Sequence, residues 1–570
     1  MAEHIRESRA WAALCAHPYL VMVQLVLVLP ALNTAFRDGS RGAFAYLSGD
    51  CLYYFVVARN IVNLGSVTFD QQYPTNGFHP LWQLLLAGVY GLYSWTKASD
   101  EAFVLLAFLL SLAVLSIALT VLYAALRWAY GPVGPLFLMF PIGVYGISAY
   151  WHSLTPIGTL QSFANGMESS LLLLSYAMFL VCFLRYSHAP SMKFALAIGL
   201  SLAAIALSRL DHALLAVAAA GVMVLHGLFF PDRMRTLRDA VIACLTVAAV
   251  LGLYLAWSRV VVGSWMPVSG TVKAGSFDAI GNYNLRLIRH ALVTAFSDTD
   301  LAYRNVYLWR SMQLVAPMVI AVLYVVAAAA EALLRRAPMR PMTLALVSTG
   351  LAVIGLAAYN AAFVQLIHQG EWYMPVGVLF VSLVVYDLAT RWAPRAFHAA
   401  PAIRAILAAA LLYANYPVIP SMQGRNSYLY DHAFGYARAL HHHYGDQDIR
   451  MLSYSDAVFA YGVPYPTMSG MLLTADPEAV RLFLEDEVSV LEIAYDRGYH
   501  HIPVIVADPR AYQHGMTSEE IKNTMMYTTG IFAASFPRNI YQLPFDFAVD
   551  FIGEDGRVVV IKMVPRDEDA

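Results

Sequence analysis

The sequence predicts a polytopic α-helical membrane protein that carries a water-soluble α/β domain at its C-terminal end, and three observations support this. The chain has 570 residues, 59% of them hydrophobic and only 13% charged. Soluble domains carry about 25% charged residues, so this composition cannot cover an aqueous surface. Charge is also unevenly spread: residues 1–416 hold 42 Asp, Glu, Lys and Arg, and the last 154 residues hold 32, with net charges of +8 and −10. Residues 1–416 therefore read as a basic-looped membrane domain and 417–570 as an acidic soluble one. Finally, long apolar stretches are confined to the first part. Four scattered Cys give no disulfide framework, and a net charge of −2 argues against nucleic-acid binding.

Stretches with the roughly 17–25 mostly apolar residues of a membrane-crossing helix lie at 19–36, 79–95, 101–127, 132–151, 167–185, 193–208, 212–230, 240–262, 312–334, 343–367, 373–390 and 401–416. The first is a retained anchor, preceded by Arg6 and Arg9 and followed by no small-residue cleavage site. Two polar insertions, 37–78 and 263–311, are too long for hairpin turns, and connections of that size are often functional. Arg233, Arg235 and Arg238, then Arg335, Arg336 and Arg340, then Arg391 and Arg395 fall in alternate short connections, which basic residues place in the cytoplasm. Loops 37–78 and 263–311 and the C-terminal domain are then expected outside. That arrangement needs an odd number of crossings, so about twelve or thirteen transmembrane helices are expected, the count being open within 79–167.

The tail alternates helix and strand signals. Asp431–His443 patterns as a helix stopped by Gly445, and Ile449–Ser453 as a strand. Asp476 reads as an N-cap with Pro477 at N1, and Thr517 with Glu520 as a capping box. Ile502–Ala507 is a buried-strand run, and Val558–Val564 closes after the Asp555-Gly556 turn.

The first outer loop holds the most informative residues: Ser48-Gly49-Asp50-Cys51-Leu52-Tyr53-Tyr54, then Ala58-Arg59-Asn60, then Thr75-Asn76-Gly77-Phe78-His79-Pro80-Leu81-Trp82. Residues 51–63 are apolar on one face, as in a helix lying along the membrane surface. Asp50 begins that helix, where a carboxylate faces water and headgroups; its plain structural role would be an N-cap. Asn76-Gly77 makes a turn, Pro80 opens the next span and Trp82 suits the interfacial belt, which leaves His79 as an imidazole able to donate to an anion. Arg209 and Asp211 interrupt an apolar run, either as functional groups or as an ion pair stapling a helical hairpin. Lys273 lies in the second outer loop, where a solvated lysine is ordinary. Glu168 and Glu371 open spans, where acids complement the helix dipole. His441-His442-His443 cannot share one helix face, and Cys51 suits packing. Asp456 suits a helix cap or a substrate contact. No phosphate-cradling Gly-rich loop is present, which argues against a nucleotide-sugar donor.

These segments, with Asn165-Gly166-Met167-Glu168-Ser169, Ser208-Arg209-Leu210-Asp211, Trp265-Met266-Pro267 and Glu371-Trp372-Tyr373-Met374-Pro375, resemble the GT-C superfamily of membrane glycosyltransferases. Within it the chain is most similar to bacterial members such as the cell-wall arabinofuranosyltransferases. The resemblance covers nearly all of the membrane half. It implies an enzyme that moves a single sugar from a polyprenyl-phosphate donor to a glycan or glycolipid acceptor on the outer face, with inversion. Asp50 would be the catalytic base, and His79, Arg209, Lys273 and Arg59 would hold the donor phosphate. Tyr53, Tyr54, Asn76, Glu168, Asp211, Glu371 and Tyr373 would line the donor or acceptor site. Relatives commonly have two adjacent acids where this chain has Gly49-Asp50, and often an Arg where it has Trp372.

No cofactor is required by this reading; a divalent cation is the open option, with no metal ligands assigned. The expected partners are the donor, the acceptor and membrane lipid, and not nucleic acid. The expected location is a bacterial inner membrane, with the C-terminal domain extracytoplasmic. Two rivals remain: a non-catalytic envelope-complex subunit with a degenerate GT-C fold, and a secondary transporter, which should show inverted repeats that this sequence lacks.

Overall fold

The computed structural model describes residues 18–131, 163–229, 233–274, 281–294, 301–335, 339–364, 375–392, 430–454, 457–506, 508–528 and 540–566. The expected spans at 132–151 and 401–416 lie outside the described residues, as do Glu371, Tyr373 and Asp456.

In chain order the upstream helices are α1 (Pro18–Phe44), α2 (Cys51–Leu64), α3 (Pro80–Ser94), α4 (Asp100–Tyr130), α5 (Ser169–His188), α6 (Met192–Ser208), α7 (Ala213–Phe229), α8 (Arg233–Val261), α9 (Val268–Lys273), α10 (Asn282–Thr294), α11 (Leu301–Arg335), α12 (Pro341–Phe363) and α13 (Pro375–Trp392). Among the described residues, six helices are long and apolar enough to cross a membrane: 100–130, 169–188, 210–228, 234–261, 314–335 and 341–363. The chain is a multi-pass membrane protein. The stretch expected to span at 79–95 falls short: the 15 residues of α3 rise about 22 Å, against a hydrocarbon core of about 30 Å. α1 breaks at Gly39 (φ 60°, ψ −138°).

The chain divides into two compact units. One holds Met1–Tyr46, Phe108–Leu253 and Ala274–Arg425. Within it α12 is the hub, packed by α5, α7, α10, α11 and α13. Its buried residues include the small Ala345, Ser348, Thr349, Gly350 and Ala357, which let neighbouring helices approach closely.

The other unit holds Leu47–Ala107, Tyr254–Lys273 and Asn426–Ala570. A π-helical turn at Asp431–Tyr436 leads into α14 (Ala437–Tyr444), which ends at Gly445 with φ 55°. There follow β1 (Met451–Ser453), α15 (Val458–Gly462), β2 (Thr467–Ser469), α16 (Pro477–Leu484), α17 (Val490–Asp496), β3 (His501–Ile505), α18 (Ser518–Thr528), β4 (Phe545–Ile552) and β5 (Val558–Pro565). The sheet order is β2-β1-β3-β5-β4, with β1 parallel to both of its neighbours and β5 antiparallel to both of its own. Side chains alternate between two cores: Leu452, Val559 and Ile561 face one, Met451, Val558 and Val560 the other. The expected caps form: Asp476 accepts from the amides of Glu478 and Ala479, and Thr517 and Glu520 exchange both capping-box bonds. Strands β2 and β4 and the Ser489–Glu492 capping box that opens α17 went unread in the sequence. The upstream segments complete this unit, with α2 packed on α3 and α15 and Val268 of α9 inside the larger core.

Candidate active site

α2 opens from a tight turn in which the amides of Cys51, Leu52 and Tyr53 donate to the carbonyls of Ser48, Gly49 and Asp50. Asp50 has helical angles (φ −62°, ψ −21°), and its carboxylate makes no capping bond to α2. A capping Asp is normally extended, with its side chain folded back on the first amides, so Asp50 does not play that role. Cys51–Ala58 are all buried, which corrects the surface-helix expectation: α2 is enclosed rather than lying on lipid with one apolar face. Tyr53 packs on Phe69 with ring centroids 5.4 Å apart, and the Tyr54 carbonyl accepts from Gln83 Nε2 at 3.1 Å. Burial, with the Asp50 charge adding, holds the Cys51 thiol well above its usual pKa, so it is an inert packing group.

Arg59, late in α2, is bound into the fold. It pairs with Asp100 at 2.9 Å, donates to the carbonyls of Ala460 (2.9 Å) and Tyr461 (3.0 Å), and lies over the Tyr461 ring. The loop that follows is docked just as firmly. Asn60 donates to the carbonyls of Thr68 and Phe69, and Thr75 donates its hydroxyl to the Ala475 carbonyl at 2.9 Å. Asn76 is fully buried: its amide nitrogen donates to Ser258 Oγ (2.7 Å) and the Met266 carbonyl (3.0 Å), and its oxygen accepts from the Val268 amide (2.9 Å). Gly77 is required by contact, because a Cβ there would lie 2.0 Å from the Leu473 carbonyl oxygen. His79 then stands extended (φ −87°, ψ 120°) at the start of α3, with Pro80 at N1 and no side-chain cap bond. Trp82 is completely buried, not part of an interfacial belt. Lys273, the last residue of α9, is half-buried.

Glu168, Arg209 and Asp211 meet in the other unit. The short link between α5 and α6 folds them into a hairpin, so the residue before α5 and the residue after α6 share one end. Arg209 contacts Glu168 at 3.0 Å and Asp211 at 3.1 Å, and His212 Nδ1 lies 2.7 Å from Asp211. Glu168 is 0% exposed, and Arg209 and His212 are each 3% exposed. The hydroxyls of Ser169, Ser170 and Ser208 and His212 Nε2 are buried without hydrogen-bond partners among the described residues. Such a network is costly to bury and rigid once formed. His212 was missed in the sequence; its signal was adjacency to Asp211 inside an apolar run.

Of the expected site residues, Asp50, Tyr53, Tyr54, Arg59, Asn76, His79 and Lys273 belong to one unit and Glu168, Arg209 and Asp211 to the other. Among the described residues, no three His, Cys, Asp or Glu side chains converge as metal ligands.

No protein-family model matches the chain, and no curated protein is similar to it in sequence. Solved structures are similar in fold. An oligosaccharyltransferase from Archaeoglobus fulgidus, tethered through a disulfide bond to an acceptor peptide containing the NVT sequon, superposes with a TM-score of 0.50 at 12% identity, over 91% of this chain and 71% of that one. The oligosaccharyltransferase AglB from the same organism, in complex with an inhibitory peptide and a dolichol-phosphate, gives 0.47 at 13% identity over 99% and 75%. ArnT from Cupriavidus metallidurans in the apo state gives 0.48 at 12% identity over 98% of each chain. The likeness is one of fold, and it is the GT-C fold that the loop motifs led us to expect.

Proposed function

We propose that this protein is a GT-C glycosyltransferase that moves one sugar from a polyprenyl-phosphate donor to a glycan or glycolipid acceptor at the outer membrane face. The observation that carries the reading is Asp50: it opens a buried helix without capping it, in a loop whose downstream end is pinned at Thr75 and Asn76. The Asp50 carboxylate takes the acceptor hydroxyl proton, the acceptor oxygen bonds to the anomeric carbon, and the bond to the donor phosphate breaks on the opposite face, inverting the centre. His79 and Lys273 balance the charge that develops on the leaving phosphate; Arg209, in the other unit, is assigned to that phosphate by resemblance alone. Glu168 and Asp211 aim Arg209, while Arg59 and Asn76 keep the loop in place for Tyr53, Tyr54 and Asp50. Glu371 and Tyr373 are assigned to the acceptor side by resemblance alone.

The test is release of free polyprenyl phosphate by purified, reconstituted protein given a panel of polyprenyl-phosphate pentoses and hexoses with crude envelope glycolipid as acceptor. Asp50→Asn is expected to lower turnover by about 10²–10⁴-fold while donor binding persists. An active wild type whose turnover Asp50→Asn leaves unchanged would remove the base, and a wild type inactive across the panel would favour the scaffold.

A further inference from the structure

A cavity of about 110 Å³ lies in the helical unit, where Arg335, Arg340 and Arg391 converge with Glu331, Ala328 and Ala332. The sequence makes this room simply. Residues 328, 331, 332 and 335 fall on one face of α11, and two of the four are alanines. Arg340 sits at the start of α12 with no side-chain cap bond and Pro341 at N1, and Arg391 comes from the last turn of α13.

The charges in the cavity are only partly matched. Glu331 pairs with Arg335 and with Arg391, each at 3.1 Å, and Arg391 also meets Asp387 at 2.6 Å. Asp387 is itself satisfied, accepting from the hydroxyls of Tyr130 (3.0 Å) and Tyr324 (2.8 Å). Arg391 Nε, by contrast, is buried with no partner among the described residues. Arg340 is exposed, and no ion pair to it is found among the described residues. The first amides of α12 add a positive helix end. A cavity with an unused guanidinium N–H, a second unpaired guanidinium and a helix N-terminus is suited to an anion.

Arg335, Arg336 and Arg340 also fill one short connection, the pattern of a cytoplasmic loop at headgroup level. Leu333 and Leu334, 76% and 85% exposed, directly precede Arg335 in the sequence and offer apolar surface to acyl chains. We propose that this cavity binds the phosphate of an anionic phospholipid of the cytoplasmic leaflet. Basic pockets between transmembrane helices on that side suit such headgroups. This site is independent of the glycosyl-transfer reading.

The test uses full-length protein in neutral detergent, with thermal unfolding followed as phosphatidylglycerol, phosphatidylcholine or inorganic phosphate is added. Phosphatidylglycerol is expected to stabilise the protein and phosphatidylcholine to leave it unchanged. Each basic residue near an anionic surface strengthens binding roughly five-fold, so Arg335→Gln with Arg340→Gln should weaken the apparent affinity about twenty-five-fold. Both positions are exposed, so the double variant should fold; Lys193→Gln with Arg510→Gln serves as a charge-matched control. No stabilisation by phosphatidylglycerol, equal stabilisation of wild type and the double variant, or an equal shift from inorganic phosphate alone would each overturn the proposal.

Discussion

The Tyr499 hydroxyl donates to the Asp70 carboxylate at 3.1 Å, bridging residues 429 apart in the chain. Asp70 also accepts from the amides of Gln72 and Tyr73 and the hydroxyl of Thr68, all at 2.8–2.9 Å. Burial raises its pKa, and these bonds hold the rise in check. Asp70→Ala would leave several buried donors unmatched at about 1–3 kcal/mol each, so a loss of at least about 3 kcal/mol is expected. Thermal unfolding and the rate of proteolysis within residues 65–79 would measure it. An Ala variant as resistant as wild type would mean the loop is held by other contacts.

Gly77→Ala tests how tightly His79 is positioned. The added methyl would lie 2.0 Å from a backbone oxygen that cannot rotate away, so the loop must move, at a cost of about 1–3 kcal/mol. Turnover is expected to fall with membrane insertion intact. Gly88→Ala, where a Cβ meets nothing within 4 Å, should behave as wild type in the same assays.

What could be read in the sequence was local. The Asp476 cap, the Thr517–Glu520 box and the Gly445 stop depend on residues within one turn of each other, and all three are present. The six long spans were legible because length and apolarity alone define them. The surroundings of α2 were not legible, because its polar-looking face is covered by Ala460 and Tyr461, about four hundred residues away. Arg59 reads as a spare cation for the same reason: its partners Asp100 and two distant carbonyls leave no local pattern. Asn76, which the resemblance assigns to the donor or acceptor site, is surrounded by partners from the Ser258–Val268 segment that no spacing rule connects to it.

The Glu168–Arg209 pair separates structural from functional roles. Arg209→Met alone removes the cation paired with the buried Glu168, a change that typically costs about 3–5 kcal/mol. Glu168→Gln combined with Arg209→Met removes both charges of the pair, leaves Asp211 to His212, and is expected to recover part of that stability. Turnover should stay low in the double variant if Arg209 also holds the donor phosphate. Turnover that recovers along with the melting temperature would make the pair purely a hairpin staple.

His501 is expected to make the C-terminal α/β fold acid-sensitive. It lies on β3 with 8% exposure, its Nε2 3.8 Å from an Asp550 oxygen at the β4 bulge, with Lys562 paired across the strand and His500 adjacent in sequence. Burial lowers its pKa, and Asp550 offsets only part of that effect. The unfolded chain, with His near 6.5, therefore takes up the proton first, and stability rises with pH across that interval. The contribution is complete above about pH 6.5 and is lost as pH falls through the folded value. Between pH 7.5 and 5.5 the unfolding of this unit should shift downward, with a slope of at most about 1.4 kcal/mol per pH unit from this group. His501→Gln should flatten the profile, whereas Asp550→Asn, which removes a carboxylate that supports the imidazolium, should steepen it. A profile unchanged in His501→Gln would assign the acid sensitivity to another group.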